Sequence, residues 1–169
     1  MNLLDYVDTI PDFPKPGISF KDISPLLASH EATRAAVMQL TEPWRGKVDR
    51  VVGIESRGFL LGMCIAQELG VGFTLSRKRG KLPGATLHQD YDLEYGTDAI
   101  EMQSDSLEKD IRVLIHDDVI ATGGTAAAAE ALVQRLGARV VGHSFLIDLA
   151  FLNGKSKLSA PVHAAITID

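Results

Sequence analysis

Apolar positions along the chain fall into two rhythms, and small residues mark where one gives way to the other. Arg50-Val51-Val52-Gly53-Ile54 is a short continuous apolar run, the pattern of a strand covered on both faces. Gly58 to Leu69 follows with the pattern of a helix, and Gly70 suits the left-handed cap beyond its end. Gly72-Phe73-Thr74-Leu75 predicts a second strand. The same order recurs downstream. Ile111 to Ile115 predicts a buried strand, Thr125 to Leu136 an alanine-rich helix capped by Gly137, and Arg139 to Leu149 a long strand. Strand, helix, strand, written twice, predicts an α/β fold whose parallel sheet carries helices on both faces. Val162 to Ile168 predicts a last strand.

The remainder is less periodic. Leu3 to Ile10 predicts a short helix, and Pro11, Pro14, Pro16 and Gly17 then impose an irregular, extended segment. A further helix is expected from about Glu31 to Leu40, stopped near Pro43. Between the two units lies Arg79 to Asp98, longer than an ordinary connection and therefore a candidate lid or binding loop. The strand character of Tyr91-Asp92-Leu93 and Ala99-Ile100-Glu101-Met102 keeps a hairpin open as the alternative. No repeat or linker divides the chain, so residues 1–169 read as a single domain.

Composition narrows the classes. The chain is 46% hydrophobic and 23% charged, an ordinary globular balance, and no apolar stretch approaches the ~20 residues of a membrane span. The N-terminus lacks a secretory pattern, and one cysteine, Cys64, excludes an internal disulfide; a cytoplasmic protein with a buried, inert thiol is expected. A net charge of −5 argues against nucleic-acid and anionic-membrane partners. Against that background Arg77, Lys78, Arg79 and Lys81 form a local basic knot, which suits either an anion site or a solvated turn.

The candidate chemistry is concentrated in Val113-Leu114-Ile115-His116-Asp117-Asp118-Val119-Ile120-Ala121-Thr122-Gly123-Gly124-Thr125. A strand expected to end at Asp117-Asp118 leads through a small-residue turn into a helix, and ligands of parallel sheets sit at such strand ends. Glycines admit a phosphate close to the backbone, successive N–H groups form an anion nest, and the helix start adds its positive dipole end. Two carboxylates beside that cradle suit a ligand that also carries ribose hydroxyls and develops positive charge. No Gly-Lys-Ser/Thr closes the loop, so it is not a Walker A motif; Gly154-Lys155-Ser156 lacks the glycine that motif needs at Leu149.

The acidic pair followed by Ala-Thr-Gly-Gly-Thr resembles the phosphoribosyl-diphosphate signature of type I phosphoribosyltransferases. Further segments resemble the adenine phosphoribosyltransferase family. They are Pro11 to Gly17 with Asp22-Ile23-Ser24-Pro25, Gly53 to Phe59, Arg77 to Gly84, and Tyr91 to Asp98, in the family's order and spacing. The resemblance implies transfer of the 5-phosphoribosyl group from phosphoribosyl diphosphate to adenine, forming AMP and pyrophosphate with Mg²⁺. It implies that Ala121, Thr122, Gly123, Gly124 and Thr125 hold the 5′-phosphate and that Asp117 and Asp118 bind the ribose hydroxyls. Arg57, Arg77, Lys78 and Lys81 then bind pyrophosphate, and Mg²⁺ arrives mainly on the substrate with no metal site of the protein's own. Glu94 matches a loop glutamate that handles a purine proton, and Tyr95 would pack on the closed site or pin the loop. Phe20 would stack on the base while the backbone of Ser19 and Lys21 reads its polar edge. Ser19 and Lys21 depart from the family's commoner apolar residue and arginine, which keeps another purine base open. The resemblance further implies a homodimer with the loop of one subunit near the other's site.

His116 also departs from the family pattern and is expected to be a satisfied structural histidine rather than a base. His30, His88, His143 and His163 have no ligand spacing, and Trp44 is expected to cover a core edge. A non-catalytic sensor of the same fold is the alternative class, and it predicts a basic face that this acidic chain does not offer.

Overall fold

The computed structural model describes residues 1–93 and 96–169. Two strands, β1 (Asp8–Ile10) and β2 (Phe20–Asp22), pair antiparallel and lead into α1 (Ser24–Ala28) and α2 (His30–Thr41). The expected helix over Leu3 to Ile10 is instead one 3-10 turn, Leu3–Tyr6, capped by the Asn2 side chain, followed by β1. The rest forms β3 (Arg50–Ile54), α3 (Gly58–Leu69), β4 (Gly72–Lys78), β5 (Thr86–Asp92), β6 (Thr97–Gln103), β7 (Arg112–Ile120), α4 (Gly124–Arg135), β8 (Arg139–Leu149) and β9 (Val162–Ile168).

Seven of these strands make one sheet in the order β5-β6-β4-β3-β7-β8-β9. The run β4-β3-β7-β8-β9 is parallel, as the two strand–helix–strand units require, and β6 pairs antiparallel with both β4 and β5. The segment between the units is therefore a hairpin laid on the sheet edge. Within it seven residue pairs align, from Thr86↔Gln103 to Asp92↔Thr97, whereas β6 meets β4 only at Arg77↔Glu101 and Lys78↔Ile100.

Alternation along the central strands sends side chains to two cores. Val51 and Leu114 pack with Leu61 and Ile65 of α3 and Ala36 and Leu40 of α2. Val52, Ile54, Val113 and Ile115 pack on the other face with Ala129, Leu132 and Val133 of α4. Each buried Leu or Ile contributes about 2 kcal/mol of transfer free energy, so both helix layers are held mainly by these contacts. Helix α4 has a polar tie as well: buried Glu130 lies 2.9 Å from His143 Nε2 of β8 and accepts from the Ser159 hydroxyl. Trp44 closes the end of the α2 face against Gly142, where an added Cβ would fall 2.0 Å from the indole. Cys64 is half-buried against the α3 core rather than fully buried, because it sits at the flank of the helix's apolar stripe.

One boundary differs in a way that matters for the site. Strand β7 does not stop at Asp117-Asp118; it continues through Ile120. The ladder to β8 carries it onward, with Asp117↔Phe145, Val119↔Ile147 and Ile120↔Asp148 in register. Aspartate disfavours strands, and here the pairing with β8 outweighs that local preference. Among the described residues, no helix is long and apolar enough to cross a membrane.

Candidate active site

The carboxyl ends of β3 and β7 are neighbours in the sheet, and the segments that leave them form the two walls of one cleft. From β7 the chain turns through Ala121-Thr122-Gly123 into α4. Gly123 has φ +78° and an added Cβ there would lie 2.2 Å from the Gly154 carbonyl oxygen, so only glycine fits. Residues Ala121 to Thr125 with Asp117 surround a small cavity of about 100 Å³ at the start of α4. Its size and its place at the positive end of the α4 dipole suit a phosphate group.

From β3 the chain turns through Glu55-Ser56-Arg57 into α3. Gly58 lets this turn lie directly against β7: a Cβ there would fall 2.9 Å from Asp117 Oδ1. The contact brings Arg57 Nε to 2.7 Å from Asp118 Oδ2 and sets the guanidinium 4.7 Å from the centre of the Phe20 ring. Arg57 also donates to the Lys21 carbonyl at 3.4 Å. Phe20 itself packs edge-on against Phe13 at 5.1 Å. A larger cleft of about 570 Å³ runs between Phe20, Glu55, Arg57, Asp117 and Asp118 and meets the phosphate-sized cavity at Asp117 and Ala121.

The electrostatics of the acidic pair are uneven. Burial first, and the neighbouring Asp118 charge second, push the Asp117 carboxyl well above the usual carboxylate range. Its Oδ1 accepts the Asp118 N–H at 2.8 Å, and Asp118 is neutralised by Arg57. Arg57 lies close enough to favour the Asp117 carboxylate, but burial and Asp118 outweigh it, and a ligand carrying hydroxyl donors or a cation would favour the charged form.

The remaining expected residues are distributed differently. Ser19 is exposed, and the Lys21 ammonium turns away to Thr9 Oγ1 at 2.9 Å, leaving only its backbone toward Arg57. Arg77 reaches the cleft wall through Glu55, with Nε 2.8 Å from Oε2. Lys78 instead pairs with Asp98 at 3.3 Å, and Lys81 sits in an exposed turn; neither lines the cleft. Glu94 and Tyr95 lie outside the described residues.

Several contributors are not evident from local pattern. Glu55 is the acid that holds Arg77, and its signal is its place at a strand end beside Arg57, within the Gly53 to Phe59 segment. Glu101 accepts from the N–H groups of Lys81 and Leu82 at 3.0 and 2.9 Å, so it fixes the basic turn from within β6. Tyr91 of the hairpin comes within 3.6 Å of where a Cβ on Gly124 would be, closing over the start of α4. His116 is fully buried, and among the described residues neither ring nitrogen has a partner of full hydrogen-bond geometry, only the Ser144 backbone favouring its charged form. Burial holds it neutral, lowering its pKa to about 3.

A parallel sheet with a phosphate-sized nest and an acidic pair at its carboxyl edge defines a class of phosphoribosyl-transferring enzymes. Consistent with this, residues 21–161 match the phosphoribosyl transferase domain family. The chain is 50% identical over 173 residues to an adenine phosphoribosyltransferase of Maricaulis maris, covering 100% of this chain and 99% of that protein. It superposes on the crystal structure of an adenine phosphoribosyltransferase from Rhodothermus marinus with a TM-score of 0.95 and 53% identity, covering 98% and 96% of the two chains. The Saccharomyces cerevisiae enzyme of that name, crystallised with adenine and an imino-altritol bisphosphate, gives a TM-score of 0.91 at 42% identity and covers 96% of this chain and 95% of its own. The chain belongs to the adenine phosphoribosyltransferase family, with the type I phosphoribosyltransferase fold. Enzymes of this family are pentosyltransferases of purine salvage.

Proposed function

We propose that this chain transfers the 5-phosphoribosyl group of phosphoribosyl diphosphate to adenine in the cleft between the two turns, giving AMP and pyrophosphate. The observation that carries the assignment of roles is the placement of Asp117 and Asp118 between a phosphate-sized nest and an Arg57-Phe20 wall. The 5′-phosphate takes the N–H groups of Ala121 to Thr125 and the hydroxyls of Thr122 and Thr125. The ribose 2′- and 3′-hydroxyls donate to Asp117 and Asp118, which restores the charge that burial opposes at Asp117.

Bond changes follow from this placement. The C1′–oxygen bond to diphosphate breaks with its electron pair on the leaving group, and an adenine ring nitrogen forms the new bond to C1′. Positive charge builds at C1′ in between, and the acidic pair stabilises it where it develops. The departing polyanion is neutralised by Arg57 and Arg77, with Lys78 and Lys81 joining if the hairpin moves toward the cleft. Adenine stacks on Phe20, and because the Lys21 side chain is held by Thr9, the backbone of Ser19 and Lys21 is what remains to read the base. Glu94 accepts the ring proton that adenine must lose.

Magnesium fits this site as an ion carried in by the diphosphate. Asp117 and Asp118 are the carboxylates near the sugar, fewer than an octahedral shell needs, so phosphate, hydroxyl and water oxygens would complete it. When bound, the ion neutralises the leaving diphosphate. We further infer a cytoplasmic homodimer, supported by the single cysteine and the family resemblance.

The test is incubation with Mg²⁺, phosphoribosyl diphosphate and each of adenine, guanine, hypoxanthine and xanthine. AMP formation with adenine as the preferred base is expected. Turnover of another base without AMP formation would replace adenine as the substrate, an outcome that Ser19 and Lys21 make the specific alternative.

A further inference from the structure

Behind the phosphate-sized nest lies a second layer of structure. After β8 the chain forms a short turn, Asn153 to Lys157, and this turn meets the nest backbone to backbone. A Cβ on Gly123 would fall 2.2 Å from the Gly154 carbonyl oxygen; a Cβ on Gly154 would fall 2.3 Å from the Ala121 carbonyl oxygen and 2.8 Å from the Gly123 nitrogen. No side chain stands between the two segments. A shift of the turn must therefore move residues 121–123 or open a gap beneath them.

One ion pair ties the turn to β8. Lys155 Nζ lies 2.6 Å from Asp148 Oδ2, and Asp148 is 1% exposed. Lys155 is the only ionic partner of that carboxylate among the described residues, and neither oxygen has any further hydrogen-bond partner there. Asp148 is also in register with Ile120, the last residue of β7 before the nest. The pair therefore ties the turn to the strand rung on which the nest begins. A buried carboxylate without its cation is strongly unfavourable, which keeps the lysine, and with it the turn, in place.

The geometry points to Lys155 as a positioning residue that, through Asp148 and Gly154, sets the shape of the 5′-phosphate nest. This rests on the proposed use of that nest for the sugar phosphate. Lys155 is half-exposed and does not line the phosphate-sized cavity, so it acts through the backbone contact rather than on the phosphate.

The experiment compares Lys155→Met, Lys155→Arg, Asp148→Asn and Gly154→Ala with the wild type. Binding of ribose 5-phosphate is measured by calorimetry, and KM is measured separately for phosphoribosyl diphosphate and adenine. Gly154 does not have a positive φ, so alanine there perturbs only the close contact. Lys155→Met, Asp148→Asn and Gly154→Ala should each weaken ribose 5-phosphate about tenfold, the scale of an ångström-level misplacement, and raise the KM of phosphoribosyl diphosphate in parallel. The KM of adenine should stay within about twofold, and Lys155→Arg should restore sugar-phosphate binding. Asp148→Asn separates this role from direct attraction, because removing an acid would tighten anion binding if Lys155 acted on the phosphate itself. Tightened or unchanged binding in Asp148→Asn overturns the proposal, as does unchanged binding in both Lys155→Met and Gly154→Ala. A wild type that binds ribose 5-phosphate but makes no AMP would instead count against the adenine reading, and the binding comparison would still decide the role of Lys155.

Discussion

His116 offers a thermodynamic test of how the central strand is buried. The perturbation is His116→Leu, which keeps a side chain of similar bulk on β7 facing α3 and removes a titrating group. In the native protein burial lowers the imidazole pKa to about 3, against 6.5 for an unperturbed histidine, with only the Ser144 backbone working the other way. Between those two values the unfolded chain binds a proton that the folded chain does not. Stability therefore rises with pH across that window and is lost as pH falls through it. For one such group the loss between pH 8 and pH 5 is about 2 kcal/mol. The assay is urea unfolding followed by fluorescence of Trp44, the single tryptophan, at pH 8, 7, 6 and 5. His143 is also buried and depressed, but it is present in both proteins and cancels in the difference. The leucine variant should lose about 2 kcal/mol less than the wild type over this range, and at pH 8 it should be at least as stable, since a buried, poorly paired imidazole is gone. Parallel loss of stability in the two proteins would refute the assignment of a neutral, buried imidazole.

Other outcomes concern the reaction. Asp117→Asn combined with Asp118→Asn should lower kcat at least about 1,000-fold while the thermal unfolding transition stays cooperative; near-normal AMP formation would remove the acidic pair from catalysis. Phe20→Ala should raise the KM of adenine about tenfold, the cost of one lost base-stacking contact, with a smaller change for phosphoribosyl diphosphate. Glu94→Gln should reduce kcat about 100-fold while ribose 5-phosphate binds within about threefold of the wild type; equal losses in both would argue against proton transfer.

The periodic parts of the chain announce themselves. Helix α3 occupies Gly58–Leu69 and β8 occupies Arg139–Leu149, because apolar rhythm and the glycines at 70 and 137 mark their ends locally. Where pairing partners lie far apart in sequence, local pattern is insufficient. The end of β7 at Ile120 depends on β8, and the hairpin depends on contacts such as Lys78↔Ile100. The site follows the same division. Ala121 to Thr125, Asp117, Asp118, Arg57 and Phe20 line adjoining cavities. The Glu55–Arg77 pair, the Glu101 brace and the Asp148–Lys155 tie join residues whose individual settings carry no distinctive spacing. Lys78 and Lys81 show the opposite case, a basic cluster in sequence whose members face different neighbours in space.

The continuation of β7 through Asp117 and Asp118 gives the two sides of the candidate site different mechanical character. The carboxylates belong to the hydrogen-bonded frame of the sheet, whereas the nest is a turn whose shape depends on what lies behind it. On the proposed reading, a sugar phosphate spanning both would be registered against the stiff wall at the end where bonds change. The tolerance of the fit would then fall at the other end, several bonds away from C1′, where a small displacement would cost affinity before it cost alignment.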